Sequence, residues 1–143
     1  MSNVRNILSV KGDVIFSVSP DILVFDALEL MFEKNVSALL VTVNEDLVGI
    51  FSERDYARKL ILQGKSSKET YISEIMTEDL ITVTPDTSID SCMRLMTDHF
   101  IRHLPVLEGK RLVGIISIGD VVKFIIEEQK FIIENLEHYI TGT

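Results

Sequence analysis

The apolar positions change period several times along the first half of the chain, and each change marks an element. A β-branched piece, "FSV" (16–18), ends in the stop Ser19-Pro20-Asp21. The stretch "DILVFDALELMFEKN" (21–35) then places apolar residues at helical spacing, with Val24, Leu28 and Met31 on one side. Two short runs rich in Val, Leu and Ile follow, "SALLVTV" and "LVGIF", separated by the polar "NEDL", which predicts a hairpin. A closing helix is expected from Ser52. The second half repeats the order: "ITV" (81–83), then "DTSIDSCMRLMTDHF" with Thr87 or Ser88 available as N-cap, then "HLPVL…GKRLVGII" and another helix.

The repetition is gapless. At an offset of 65, Pro20-Asp21 falls on Pro85-Asp86, Leu30-Met31 on Leu95-Met96, and Leu47-Val48-Gly49-Ile50 on Leu112-Val113-Gly114-Ile115. Ser52 and Asp55 land on Ser117 and Asp120, with no break between Phe16 and Ile61. Each unit reads β-α-β-β-α, and one unit alone leaves a strand face half bare. The expected fold class is therefore α+β, two such repeats packed sheet against sheet, plus a long C-terminal helix. The expected divisions are an N-terminal arm (1–13), a first repeat (14–63), a linker (64–77) with one helical turn at "YISEIM", a second repeat (78–126), and a C-terminal helix and tail (127–143). In that last helix Val121, Ile125, Ile132, Leu136 and Tyr139 fall near one stripe and need a covering surface, in cis or in a partner.

Charge narrows the partners. The formal net charge of −8 over 143 residues, with Lys and Arg scattered singly, argues against nucleic acid. The longest uncharged stretches, such as Val36 to Asn44, are too short for a membrane span, and the N-terminus lacks a signal-peptide pattern. Cys92 is the single cysteine, so no internal disulfide forms and a reducing, cytoplasmic compartment is the simplest expectation. No nucleophile elbow and no phosphate loop of the Gly-x-x-x-x-Gly-Lys type is present, so no enzymatic activity is expected. His99 and His103 lie where a helix gives way to a strand, which predicts diverging rings and no metal site. Met76, Met93 and Met96 read as core.

The chemistry concentrates in the duplicated Gly-x-x-Ser-x-x-Asp of "GIFSERD" (49–55) and "GIISIGD" (114–120). Glycine at a strand end permits close backbone approach. Serine at the first helical turn lies near unpaired N–H groups, and an aspartate three residues on shares its side. That carboxylate suits the adjacent hydroxyls of a ribose. The same Ser-x-x-Asp is also an ordinary capping arrangement.

With "RHLPV" and "VSALLV", these motifs make the chain, from about Val14 to Ile126, resemble a tandem pair of CBS domains, the Bateman module. "SERDYARK" and the long C-terminal helix look like small bacterial or organellar CBS-pair proteins. The resemblance implies a pseudo-twofold pair that senses adenine nucleotides in two clefts and does no catalysis. In the first, Ser52 and Asp55 would hold the ribose. Ile81 and Ile101 would flank adenine, Arg102 and His103 would face phosphate with help from Arg54, and Pro105 belongs to the same set. In the second, Ser117 and Asp120 would hold the ribose, with Phe16, Val36, Ser37 and Ala38 around the base. Ser37 and Ala38 stand where Arg102 and His103 stand, and Gly119 where Arg54 stands, so the second cleft has less charge for a phosphate.

The resemblance favours AMP, ADP or ATP as the regulatory ligand of an energy sensor, with NADH possible and S-adenosylmethionine lower. No cofactor is required, and a homodimer is expected. The alternative is a ligand-free structural module that dimerises and docks on an enzyme or transporter as its target protein.

Overall fold

The computed structural model describes residues 2–12 and 14–142. Met1, Asp13 and Thr143, at the edges of the expected arm and tail, lie outside the described residues. The first unit contains strand β1 (Ser17–Val18), helix α2 (Val24–Lys34), β2 (Ala38–Val43), β3 (Asp46–Ser52) and α3 (Glu53–Asp55), which runs on as a π-helical turn through Tyr56–Ile61. The second contains α5 (Ile89–His99), β4 (His103–Glu108), β5 (Arg111–Ser117) and α6 (Ile118–Thr141). The two hairpins are in register at equivalent places, Leu40 opposite Ile50 and Pro105 opposite Ile115. Asn44 and Glu45 both take positive φ in the two-residue turn between β2 and β3, the twist that a tight hairpin needs. Strands β3 and β5 meet where the units face each other.

The helix predicted over 86–100 starts at Ile89, and Ser88 is its N-cap: its hydroxyl oxygen accepts from the Ser91 N–H. The C-terminal segment is one unbroken 24-residue helix with the closing helix of the second unit. Of its expected stripe only Val121 is fully buried.

The strand expected at "ITV" does not form. The first unit has a three-stranded sheet, β1-β2-β3, whereas the second has only β4-β5 and a single parallel bridge between Val83 and Val106. In the first unit the Leu40 N–H donates to the Phe16 carbonyl. The equivalent donor in the second unit is Pro105, which has no N–H, so the ladder stops before Ile81.

The segments read as arm and linker are built into the cores. Helix α1 (Val4–Lys11) puts Val4 and Ile7 into the second unit's core, among Val83, Ile89, Cys92, Leu104 and Ile116. Its start is stitched on by the Val4 N–H to the Thr87 carbonyl and by the Ser2 hydroxyl to Glu128. Helix α4 (Ile72–Ile75) does the same for the first unit, adding Ile72 and Ile75 to Val24, Met31, Leu39, Phe51 and Leu60. Each core is thus completed by a short helix that stands just before the other unit in the chain.

Ile7→Ala should cost about 2–5 kcal/mol of stability through the lost core contact. Val10→Ala, at an exposed position of the same helix, should leave the urea midpoint nearly unchanged.

Candidate functional site

At the end of β3 the chain turns sharply into α3, and Ser52 and Asp55 cap the turn reciprocally. The Asp55 N–H donates to the Ser52 hydroxyl oxygen (3.2 Å), and the Ser52 N–H donates to Asp55 Oδ2 (3.0 Å). Asp55 is only 7% exposed, and its other oxygen, Oδ1, accepts from the Thr77 hydroxyl (2.9 Å) and pairs with Lys59 Nζ (3.0 Å). The carboxylate is therefore a cap and a charge site at once.

This turn opens on a cleft of about 650 Å³ between the units. Its first-unit wall is Ser37, Ile50, Ser52, Glu53, Arg54, Asp55, Arg58 and Lys59. Thr77 comes from the segment between the units, and His99, Phe100, Ile101, Arg102 and His103 from the second unit. Four cationic side chains and two imidazoles thus converge in one place on an acidic chain. Of the residues expected in the first cleft, Ser52, Arg54, Asp55, Ile101, Arg102 and His103 line it. Ile81 instead packs against the second core, and Pro105 is buried in β4. By strand alternation Pro105 lies on the face of β4 opposite to that of Leu104 and Val106, which belong to the second core.

Ser37, expected around the base of the second cleft, lines the first and bonds His103 Nε2 through its hydroxyl at 3.0 Å. Phe16 and Val36 pack against the first core, and Ala38 is buried opposite Ser52. Ser117 and Asp120 repeat the reciprocal cap. Asp120, however, is paired with Lys11 of α1 at 2.6 Å, and Lys11 also donates to the Ile115 carbonyl (2.7 Å). Burial pushes the Asp120 carboxyl up. The Lys11 hydrogen bond, the Ser117 N–H and the Lys11 charge outweigh that and hold it below the ordinary value.

Arg58, Lys59, Thr77 and His99 were not anticipated. Lys59 had a signal, since it lies four residues after Asp55 on the same helix. Thr77 had none, because only the fold returns it to Ile50, to which it is bridged.

Phe100 marks the rim. It is 75% exposed and left-handed (φ 55°), and its carbonyl accepts from Arg54 Nη1 at 2.7 Å. The equivalent residue of the first unit is Asn35, also left-handed, a residue that tolerates this backbone. Among the described residues there is no cluster of three or more His, Cys, Asp or Glu placed for a metal ion, and no helix long and apolar enough to cross a membrane.

Two outcomes test this geometry. Phe100→Asn should raise folding stability by about 1 kcal/mol in chemical denaturation, because it relieves left-handed strain and gives up little burial. His103 is held below the ordinary histidine value by burial first and then by Lys11, with Asp120 opposing and Arg102 adding to the depression. The folded chain thus binds that proton less readily than the unfolded chain. The stability it contributes is complete above a pH of about 6.5 and is lost as the pH falls toward its folded value. An NMR titration should place the His103 midpoint below that of a model histidine, and His103→Gln should flatten the acid side of the stability profile.

Comparison with known proteins agrees with this architecture. The CBS domain family model matches residues 4–62 and 72–127, so that α1 and α4 fall inside the two matches. The chain is 48% identical over 124 residues to the mitochondrial CBS domain-containing protein CBSX3 of Arabidopsis thaliana, covering 83% of this chain and 60% of the plant protein's length. Among solved structures, a CBS-domain protein from Burkholderia ambifaria superposes with a TM-score of 0.86 at 50% identity, over 90% of this chain and 96% of that one. The CBS domain pair of MJ0100, in complex with 5′-methylthioadenosine and S-adenosyl-L-methionine, superposes with a TM-score of 0.79 at 25% identity, over 90% and 98%. The chain belongs to the CBS-domain family and carries two copies of the domain.

Proposed function

We propose that this chain is a regulatory module that binds a phosphate-bearing adenosine ligand in the first cleft and reports it through the relative pose of its two units. The observation that carries this is the convergence of Arg54, Arg58, Lys59 and Arg102, with His103, around a nearly buried Asp55 in a chain of net charge −8. Such focusing of positive charge in a cleft selects an anion that the rest of the surface repels. The adenosine part is supported by the related CBS pair MJ0100, whose complex holds two adenosine derivatives.

In this reading Asp55 keeps its Ser52 N–H bond and exchanges Lys59 for ribose hydroxyls. Lys59 then turns to the phosphate with the arginines. Because the cleft walls come from both units, a ligand that prefers one spacing shifts the pair toward it. AMP, ADP and ATP fit best, NADH also fits, and S-adenosylmethionine, a cation, fits least. No catalytic step and no cofactor belongs to this reading, and the buried lone thiol of Cys92 fits a reducing, cytoplasmic setting.

A second reading is favoured by the apolar surface of α6, where Ile126, Ile133, Leu136 and Ile140 are each about half exposed or more. There the module serves as a homodimeric scaffold that docks on a target protein. The two readings are compatible if the dimer is what transmits the ligand signal.

Calorimetric titration of nucleotide-stripped protein with AMP, ATP, NADH and S-adenosylmethionine separates them. The expected outcome is binding of the phosphorylated ligands, weakened roughly 10- to 100-fold by Asp55→Ala or Arg102→Ala, the worth of one charged hydrogen bond. Binding should also tighten as the pH falls from 8 to 6, with proton uptake. A phosphate beside His103 raises a pKa that burial first, and then Lys11 and Arg102, now depress, and Asp120 already acts in the phosphate's direction. No heat from any of the four, with sedimentation showing a dimer, overturns the sensor reading in favour of the scaffold.

A further inference from the structure

The two clefts are built on the same motif but differ in where the aspartate's cation comes from. In the first, Lys59 is on the same helix as Asp55 and lines the open cleft. The Ile50 carbonyl is taken by a backbone donor, the Thr77 N–H at 2.9 Å. In the second unit the position equivalent to Lys59 is Phe124, and the ion pair at Asp120 is made by Lys11 instead. The chain entering from the other side also differs. In the first unit α4 ends at Ile75, Met76 lies against Gly49, and Thr77 runs along β3. In the second unit Leu8 takes the place against Gly114, and α1 continues for another turn to Lys11.

That extra turn delivers one ammonium group to two acceptors. Lys11 Nζ donates to Asp120 Oδ2 at 2.6 Å and to the Ile115 carbonyl at 2.7 Å. It thus spans from the end of the strand to the start of the helix. It does for Ile115 what the Thr77 N–H does for Ile50, and for Asp120 what Lys59 does for Asp55. Displacing Lys59 leaves it in a cleft with three arginines, where a ligand phosphate rewards the move. Displacing Lys11 breaks both of its bonds. The positions that would offer a phosphate compensation are Gly119, Ser37 and Ala38 in place of Arg54, Arg102 and His103.

We propose that Lys11 is a built-in occupant of the second cleft, holding the carboxylate and strand carbonyl that a ribose would need, and so limits the module to one adenosine ligand per chain. The proposal rests on the reading of the first cleft as an adenosine site. It makes Lys11 the residue that decides which of two duplicated motifs is used. It also ties the last turn of α1 to the cleft that it closes.

The test is calorimetry of the full chain with AMP and with adenosine, which needs no phosphate partner, comparing the unaltered protein with Lys11→Met, which keeps most of the side chain's length and removes its charge. One ligand per chain, lost with Asp55→Ala, is expected for the unaltered protein. Two adenosines per chain are expected for Lys11→Met, the second lost on adding Asp120→Ala, and Lys11→Arg should stay at one. Two equivalent sites in the unaltered protein, or one site in Lys11→Met, would overturn the proposal and leave the first-cleft reading standing. Binding by neither protein defeats that reading and, with it, the limit on stoichiometry. The contact itself is read without ligand by NMR titration of the Asp120 carboxyl. Its pKa should rise in Lys11→Met, and an unmoved pKa overturns Lys11 as the occupant.

Discussion

Both units depend on one close approach of side chain to backbone. At Gly49 in β3 a Cβ would lie 2.7 Å from the sulfur of Met76, and at Gly114 in β5 it would lie 2.8 Å from a methyl of Leu8. These contacts seat the incoming segments, α4 with its following turn and α1, on the strands that end in the two Ser-x-x-Asp caps. Without a helix from outside, each small sheet has a bare face. With it, Ile72 and Ile75 complete one core, and Val4 and Ile7 the other. Glycine in the motif is thus a packing requirement. The serine and aspartate that follow owe their fixed positions to the strand the glycine anchors.

From that shared frame the units diverge by single residues with large electrostatic consequences. Arginine, arginine and histidine at 54, 102 and 103 correspond to glycine, serine and alanine at 119, 37 and 38. The frame tolerates this because these positions are at a helix start and at strand ends, not in the cores. The charge at the two aspartates is balanced from different parts of the chain, from the same helix at Asp55 and from α1 at Asp120. Duplication therefore preserved the scaffold and let the chemistry of the clefts separate.

The duplicated β-α-β-β-α order was legible because apolar periodicity is a local property, and a gapless repeat reads it twice. Where the reading departed from the structure, one residue explains each case. Pro105 has no N–H to give where Leu40 bonds Phe16, so the second sheet does not extend to Ile81, which packs against the second core. Ser37 was assigned from the pseudo-twofold to the second cleft, but its hydroxyl reaches across to His103 in the first. Lys11 and Thr77 carry no motif at all. They become functional candidates only through helices that fold back on the strands.

The sequence by itself determined the family, the repeat, the two capping aspartates and the inequality of charge between the clefts, because each of these is set by residue type at a fixed short spacing. The tertiary structure alone decided which segment completes which core, and that Arg58, Lys59, Thr77 and His99 join the first cleft. It also decided that an ammonium from the N-terminal helix sits on Asp120. Those outcomes depend on contacts between residues far apart in the chain, 109 positions for Lys11 and Asp120 and 126 for Ser2 and Glu128. Packing of buried side chains selects such contacts, and no local pattern of hydrophobic and polar residues encodes them.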